Sequence, residues 1–263
     1  MKYSDFKNKI SLVTGGSGFI GYAVSEKLAS LGSHLILLDI NKKELSKAKK
    51  KIENKYDVEV DIYHVDMVEN KKINTIIEKI QKKYKCIDVV INSVGMVGTD
   101  KMKGWNTKFD KQSIEAWNKS IEINLTSIFF LIQKIHKLLL KSKNASIVNI
   151  SSIYGVNAPD WNIYKNTNIN NPAGYSIAKA GVIYMTKWLA STLAPTIRVN
   201  CVSPGGVYRN QQKTFVTQYV KKTLLNRMAS EDDIVGPVIF LASNMSSYIT
   251  GENILIDGGW TIT

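Results

Sequence analysis

Hydrophobic residues along the 263-residue chain come in two rhythms. Short apolar runs at 10–13, 34–38, 58–65, 89–91, 146–150, 197–202 and 253–257 have the length and β-branched content of buried strands. Between them the apolar positions fall at helical spacing, as with Ala23, Val24, Leu28 and Leu31 ahead of a stop at Gly32. Polar helices are predicted over 41–56 and near 69–85. A long one is predicted over 112–141, another from Tyr175 to about Leu193, and a last one over 231–243. The loop 96–111 and the variable stretch 207–230 receive no element. Continuous apolar strands alternating with helices predict an α/β protein, a doubly wound parallel sheet of about seven strands with helices on both faces. No linker or low-complexity tract interrupts the pattern, so 1–263 reads as a single domain.

Composition narrows the function classes. A hydrophobic content of 44% and a charged content of 22% are ordinary for a globular chain. The formal charge of +13 raises nucleic-acid binding, yet Arg198, Arg209 and Arg227 are the only arginines. Arginine carries most bidentate phosphate and base recognition, and the lysines at 42–55 and 71–85 alternate with acids as on solvated helix faces. No nucleic-acid partner is expected. The most apolar segment, 127–140, is broken by Gln133, Lys134, His136 and Lys137, and MKYSDFKNK lacks the apolar centre of a signal peptide. A cytoplasmic protein without a membrane partner is expected. Cys86 and Cys201 lack metal-ligand spacing, and His34, His64 and His136 are scattered, so no metal site is expected.

Two stretches carry chemistry. The first strand runs straight into Thr14-Gly15-Gly16-Ser17-Gly18-Phe19-Ile20-Gly21 and then a helix. Strand, glycine turn, helix is the context in which backbone can approach a pyrophosphate and a helix N-terminus can receive it. Asp39 ends the second strand 24 residues past Gly15, close to the spacing at which a carboxylate meets the adenosine ribose. This is the pattern of a Rossmann fold, with a nucleotide-binding half at about 1–150 and a catalytic half at about 151–263. Asp39 favours NAD(H) over NADP(H), because a carboxylate accepts from a 2′-hydroxyl and repels a 2′-phosphate.

The second stretch is 146–179. A strand ends in Ser151-Ser152, an Asn-rich loop follows, and Tyr175-Ser176-Ile177-Ala178-Lys179 opens a helix. Residues four apart share a helix face, so Tyr175 and Lys179 point the same way. A phenol beside an ammonium, facing a serine at a strand end, is an arrangement for moving a proton. Lowering a phenol by about 2–3 pKa units needs roughly 3–4 kcal/mol of preference for the anion, and a close lysine is expected to supply much of it.

With these residues placed, the chain resembles the classical short-chain dehydrogenase/reductases over nearly its whole length. The likeness rests on residues 14–21, Asp39, Asp66, Asn92-Ser93-Val94-Gly95, Asn124, Ser152, Tyr175 with Lys179, Asn200 with Pro204-Gly205, and Asp257-Gly258-Gly259. The family serine precedes x-x-Gly, which selects Ser152 over Ser151. Three features depart from the pattern. Phe19 stands where classical members carry glycine, Ser93-Val94 replaces Asn-Ala, and Ser152 and Tyr175 lie 23 residues apart, farther than is usual. With the SPGGVYRNQ segment, the long insertion is similar to the flagellin-modification oxidoreductases of bacterial surface-sugar pathways.

The resemblance implies a catalytic set of Asn124, Ser152, Tyr175 and Lys179. Tyr175 would be the general acid/base, Lys179 would lower its pKa and bind the nicotinamide ribose, Ser152 would hold the substrate oxygen, and Asn124 would fix a relay water. The implied cofactor contacts are Gly15, Ser17, Gly18, Phe19, Ile20, Gly21, Asp39, Asp66, Met67, Asn92, Val94, Gly95, Tyr175, Lys179, Pro204, Gly205 and Val207. Substrate loops are expected at 156–174 and 205–230, with Ser152, Tyr154, Trp161, Tyr164 and Gly206 as substrate contacts, and aromatic and amide side chains suit a sugar. Apolar Phe129, Phe130, Leu138, Leu139, Val182, Trp188 and Leu189 imply a homodimer or homotetramer. The competing readings are a 3-oxoacyl-thioester reductase and, from another class, a non-catalytic NAD-sensing regulator.

Overall fold

The computed structural model describes residues 4–97 and 101–263, so residues 98–100 of the loop 96–111 and Tyr3 at the N-terminus lie outside the described residues. Seven parallel strands form one sheet: β1 (Ile10–Thr14), β2 (His34–Asp39), β3 (Val60–His64), β4 (Val89–Asn92), β5 (Ala145–Ile150), β6 (Ile197–Pro204) and β7 (Asn253–Ile256). Their order is β3-β2-β1-β4-β5-β6-β7. The chain winds outward from β1 to β3 and returns to place β4 on the other side of β1, so direction reverses between β1 and β4. Ligands of open α/β sheets bind beyond the strand ends at such a reversal.

The central strands are largely apolar because both faces are covered, while the edge strands β3 and β7 are only partly buried. Leu12, Ile36, Leu38, Val90, Ile147 and Val199 pack on one side against α3 (Asn70–Lys83), α5 (Ser127–Leu139) and α6 (Ala173–Leu193). Their alternates Val13, Leu35, Leu37, Ile91, Val148 and Val202 pack against α1 (Phe19–Ser30), α2 (Lys42–Lys55) and α8 (Glu231–Ala242). The lysines of α2 and α3 are mostly exposed and pair with acids, as in Lys47–Glu44 and Lys83–Asp61. Among the described residues no helix is long and apolar enough to cross a membrane.

Four expectations need correction. The helix predicted over 112–141 is α4 (Ile114–Ile121), a π-helical turn (Glu122–Thr126) and then α5. Periodicity cannot show this, because one inserted backbone residue leaves most apolar positions in place. The stretch 207–230 contains α7 (Lys213–Lys221), which buries Phe215 and Tyr219. The loop 156–174 includes a short 3₁₀ turn (Trp161–Tyr164) whose Ile163 and Tyr164 are buried. Finally, Leu138, Leu139, Val182 and Leu189 lie in this chain's own core, whereas Phe129 and Trp188 remain exposed with ring centroids 6.4 Å apart.

Candidate active site

The β1–β4 reversal is built first. Thr14 Oγ1 ends β1 and accepts the backbone N–H groups of Ser93 (3.2 Å) and Val94 (3.3 Å), fixing the loop that leaves β4. The Asn92 amide, wholly buried, donates to Asn149 Oδ1 (2.8 Å) on β5, while its own Oδ1 has no partner among the described residues. On the other wall, Gly18 precedes α1 without a side-chain cap, and the N–H groups of Phe19, Ile20 and Gly21 find no acceptor among the described residues. Such a helix start suits an anion. A Cβ at Gly21 would overlap the Gly15 carbonyl oxygen, so only glycine lets the turn fold back this tightly.

Asp39 is nearly buried and accepts from Ser17 N–H (3.1 Å) and Asn41 N–H (3.0 Å), which fixes a carboxylate beside the glycine turn. Asp66 forms a local turn, its Oδ1 taking Val68 N–H at 3.2 Å. The Met67 side chain is buried in the core, leaving only its backbone for a ligand. Pro204 ends β6, Gly205 N–H donates to Ile256 O (2.9 Å), and Val207 is buried.

The chemistry collects at the ends of β4 and β5. Ser151 Oγ donates to the Lys179 carbonyl (2.7 Å), so it is spent on holding α6. The neighbouring Ser152 hydroxyl instead meets the Tyr175 phenol. Gly155, three residues on, lies so close to α6 that a Cβ would come within 2.7 Å of the Lys179 backbone carbon. The Ser-x-x-Gly spacing is thus a packing requirement: the glycine lets α6 bring Tyr175 up to Ser152. Lys179 is buried, donates to Ile150 O (2.8 Å), and lies 5.8 Å from the Tyr175 ring centroid.

Burial drives the Lys179 ammonium down to about 8, and it drives the phenol of Tyr175 above its ordinary value. The Ser152 hydroxyl and the charge of Arg209 oppose the rise in Tyr175; Lys179 is not among the opposing groups. In the chain alone the expected lowering of the phenol by the lysine is not seen: the ammonium uses one of its three N–H groups on Ile150 O and faces the ring. Beneath Lys179 the buried Cys201 thiol, pushed up to about 12 by burial, stays neutral.

Asn124 sits in the π-helical turn, fully buried. Its Nδ2 donates to Met96 O (3.1 Å) and Ser120 Oγ (3.0 Å), and its Oδ1 accepts Met96 N–H (3.0 Å). The amide thus clamps the chain leaving β4, with both donors spent, and only one Oδ1 lone pair remains for a relay water. Gly95 lies between, where a Cβ would sit 2.9 Å from Asn124 Oδ1 and 3.6 Å from Lys179 Nζ.

The two substrate loops meet over this floor. Tyr164 donates to Tyr154 Oη, and Phe215, Tyr219 and Trp260 complete an aromatic layer, with Tyr219 stacked on Trp260 at 6.0 Å. Lys222 ties the layer down through Asp160 (2.9 Å) and sits 4.4 Å from the Trp260 ring centroid. Two expected substrate contacts are thereby used up. Tyr164 is buried against Tyr154 and Phe215, and Gly206 gives its N–H to Tyr219 Oη and its carbonyl to Ala229 N–H. Trp161 stays 57% exposed against Tyr164, which leaves an aromatic face open.

Sequence reasoning missed Arg209, which lies over the ring of Phe19 and whose charge opposes the rise of the Tyr175 phenol. The signal was its rarity, one of three arginines in a lysine-rich chain.

A family model described as Enoyl-(Acyl carrier protein) reductase matches residues 17–261. The chain is 34% identical to post-translational flagellin modification protein A of Campylobacter coli over 97% of this chain and 98% of the relative. It is 33% identical to the 3-oxoacyl-[acyl-carrier-protein] reductase FabG of Aquifex aeolicus, over 96% and 97%. The crystal structure of a short chain dehydrogenase from Leptospira borgpetersenii with bound NAD+ superposes with a TM-score of 0.84 at 36% identity, covering 98% of this chain and 95% of that one. The chain belongs to the short-chain dehydrogenase/reductase family.

As a short-chain dehydrogenase/reductase it is an oxidoreductase of the NAD(P)-dependent kind. Its residues fit a dinucleotide: the free N–H groups at α1 suit a diphosphate, and Asp39 suits an adenosine ribose. Among the described residues no cluster of His, Cys, Asp or Glu is arranged to hold a metal ion.

Proposed function

We propose that the protein interconverts an alcohol and a ketone on a sugar or sugar derivative, with NAD(H) as the hydride carrier. One observation carries the reaction type: the Ser152 hydroxyl, the Tyr175 phenol and the Lys179 ammonium converge at the ends of β4 and β5, with Lys179 Nζ close to Gly95. The dinucleotide supplies or accepts hydride at its nicotinamide. Tyr175 Oη gives its proton to a ketone oxygen or takes one from an alcohol. Ser152 Oγ orients that oxygen and polarises it by hydrogen bonding. Lys179 Nζ, a residue that can lose its proton near pH 8, holds a ribose hydroxyl and passes protons outward. The aromatic floor of Tyr154, Tyr219 and Trp260 excludes water from the reacting centre.

NAD(H) is favoured because the Asp39 carboxylate is held rigidly by two backbone donors, where a 2′-phosphate would meet like charge. Lys42 and Lys43, exposed at the start of α2, soften that preference. The sugar reading is supported by the open face of Trp161 and by the flagellin modification relative. A 3-oxoacyl-thioester reductase is the second reading, supported by the FabG relatives. Exposed Phe129 and Trp188 support pairing with a second copy.

The test is NADH oxidation against a panel of keto-sugars, nucleotide-linked sugars and 3-oxoacyl thioesters, repeated with Tyr175→Phe. Turnover of sugars that falls about 10²–10⁴-fold in the variant supports the reading. Turnover confined to thioesters selects the second one, and a variant as active as the parent ends both. Shortening 156–174 should remove sugar turnover; unchanged kinetics would dismiss that loop from recognition.

A further inference from the structure

Phe19 is the residue of the glycine turn that the catalytic geometry does not explain. It replaces the family's glycine, it opens α1, and its ring is 65% exposed. The ring is not unpartnered. The guanidinium carbon of Arg209 lies 4.2 Å from its centroid, within the range of a cation–π stack. The two residues come from the two halves of the molecule, Phe19 from the turn after β1 and Arg209 from the segment after β6.

Arg209 is a built arm rather than a loose surface side chain. Its Nε donates to Glu231 Oε1 at 3.1 Å, and Glu231 is the first residue of α8. Its backbone N–H donates to Gln211 Oε1 (2.7 Å), and Gln211 Nε2 returns to Val207 O (2.7 Å). Its charge also opposes the rise of the Tyr175 phenol. Its two terminal nitrogens donate to no group among the described residues.

We propose that Phe19 and Arg209 form a clasp across the dinucleotide cleft, which must part before the cofactor leaves. This rests on the dinucleotide reading given above. The glycine of the family pattern leaves that exit open; a ring at this position gives the Arg209 arm a landing surface, with Glu231 holding the arm from behind. The clasp acts on retention of the cofactor and leaves the proton transfer at Tyr175 to the other residues.

The experiment is stopped-flow release of NADH from the loaded protein into excess NAD+, followed by bound-NADH fluorescence, for the parent, Phe19→Gly, Arg209→Gln and the double variant. Each single variant should release NADH roughly 3- to 30-fold faster, the range expected for loss of one partly desolvated cation–π contact. The double variant should be no faster than the faster single one, because both changes break the same contact. Phe19→Leu, which keeps bulk without a π face, controls for a turn that fails to fold and should fall between parent and Phe19→Gly. Multiplying effects in the double variant, or faster release in Arg209→Gln with none in Phe19→Gly, would overturn the clasp and leave Arg209 acting by charge on the diphosphate. Ordinary NADH binding with unchanged release in every variant overturns the clasp alone. A parent protein that binds neither NADH nor NADPH overturns the dinucleotide reading and the clasp with it.

Discussion

Replacing Lys179 by methionine should make the protein more stable at neutral pH while removing its activity. The lysine is 4% exposed, and burial lowers its pKa from 10.5 to about 8. That difference, 10.5 − 8 = 2.5 units, is about 3.4 kcal/mol of preference for the neutral amine in the folded state. Below pH 8 both folded and unfolded chains carry the charge, so the folded chain bears the whole penalty. Between pH 8 and 10.5 the unfolded chain binds more protons than the folded one, and stability must rise with pH. At pH 9.5 roughly 1.4 kcal/mol of the penalty is left. Methionine fills a similar volume without charge, but it abandons the Ile150 carbonyl, a loss of about 1 kcal/mol at any pH. Lys179→Met should therefore be about 2 kcal/mol more stable than the parent at pH 7 and nearly equal to it at pH 9.5. Urea unfolding of both proteins at the two pH values measures this, and groups that titrate alike in both cancel. A variant less stable at pH 7, or a gap that does not close with pH, would show that the ammonium is not buried as a charge.

Further expectations follow from the same geometry. Asn124→Ala strips partners from both Met96 backbone groups and should lower stability by about 2–3 kcal/mol, seen as a reduced urea midpoint, with kcat falling alongside. Gly21→Ala sets a methyl against the Gly15 carbonyl; NADH titration should show affinity weakened by about 10-fold or more, with a stability loss of about 1–3 kcal/mol. Asp39→Asn keeps an acceptor for the Asn41 N–H but removes the charge, and the ratio of kcat/KM for NADPH over NADH should rise by at least about 10-fold.

The sheet was legible in the sequence because a strand buried on both faces must be apolar over its length. That requirement located the central strands, short β-branched runs located the partly buried edges β3 and β7, and together they gave the reversal between β1 and β4. The glycine turn, Asp39 and the Tyr175–Lys179 pair were legible for a related reason: each needs particular residue types at a fixed local spacing, and local spacing is what a chain displays directly. Contacts between distant segments leave no such trace. Nothing in the sequence shows that Asn124 spends its amide on Met96, that Tyr164 and Gly206 are consumed by the aromatic layer, or that Ser151 rather than Ser152 holds α6. The direction of the Tyr175 shift was likewise decided by packing. A neighbour one helical turn away is a matter of spacing, but desolvation depends on what covers the phenol from every side, and those walls come from segments the sequence keeps far apart.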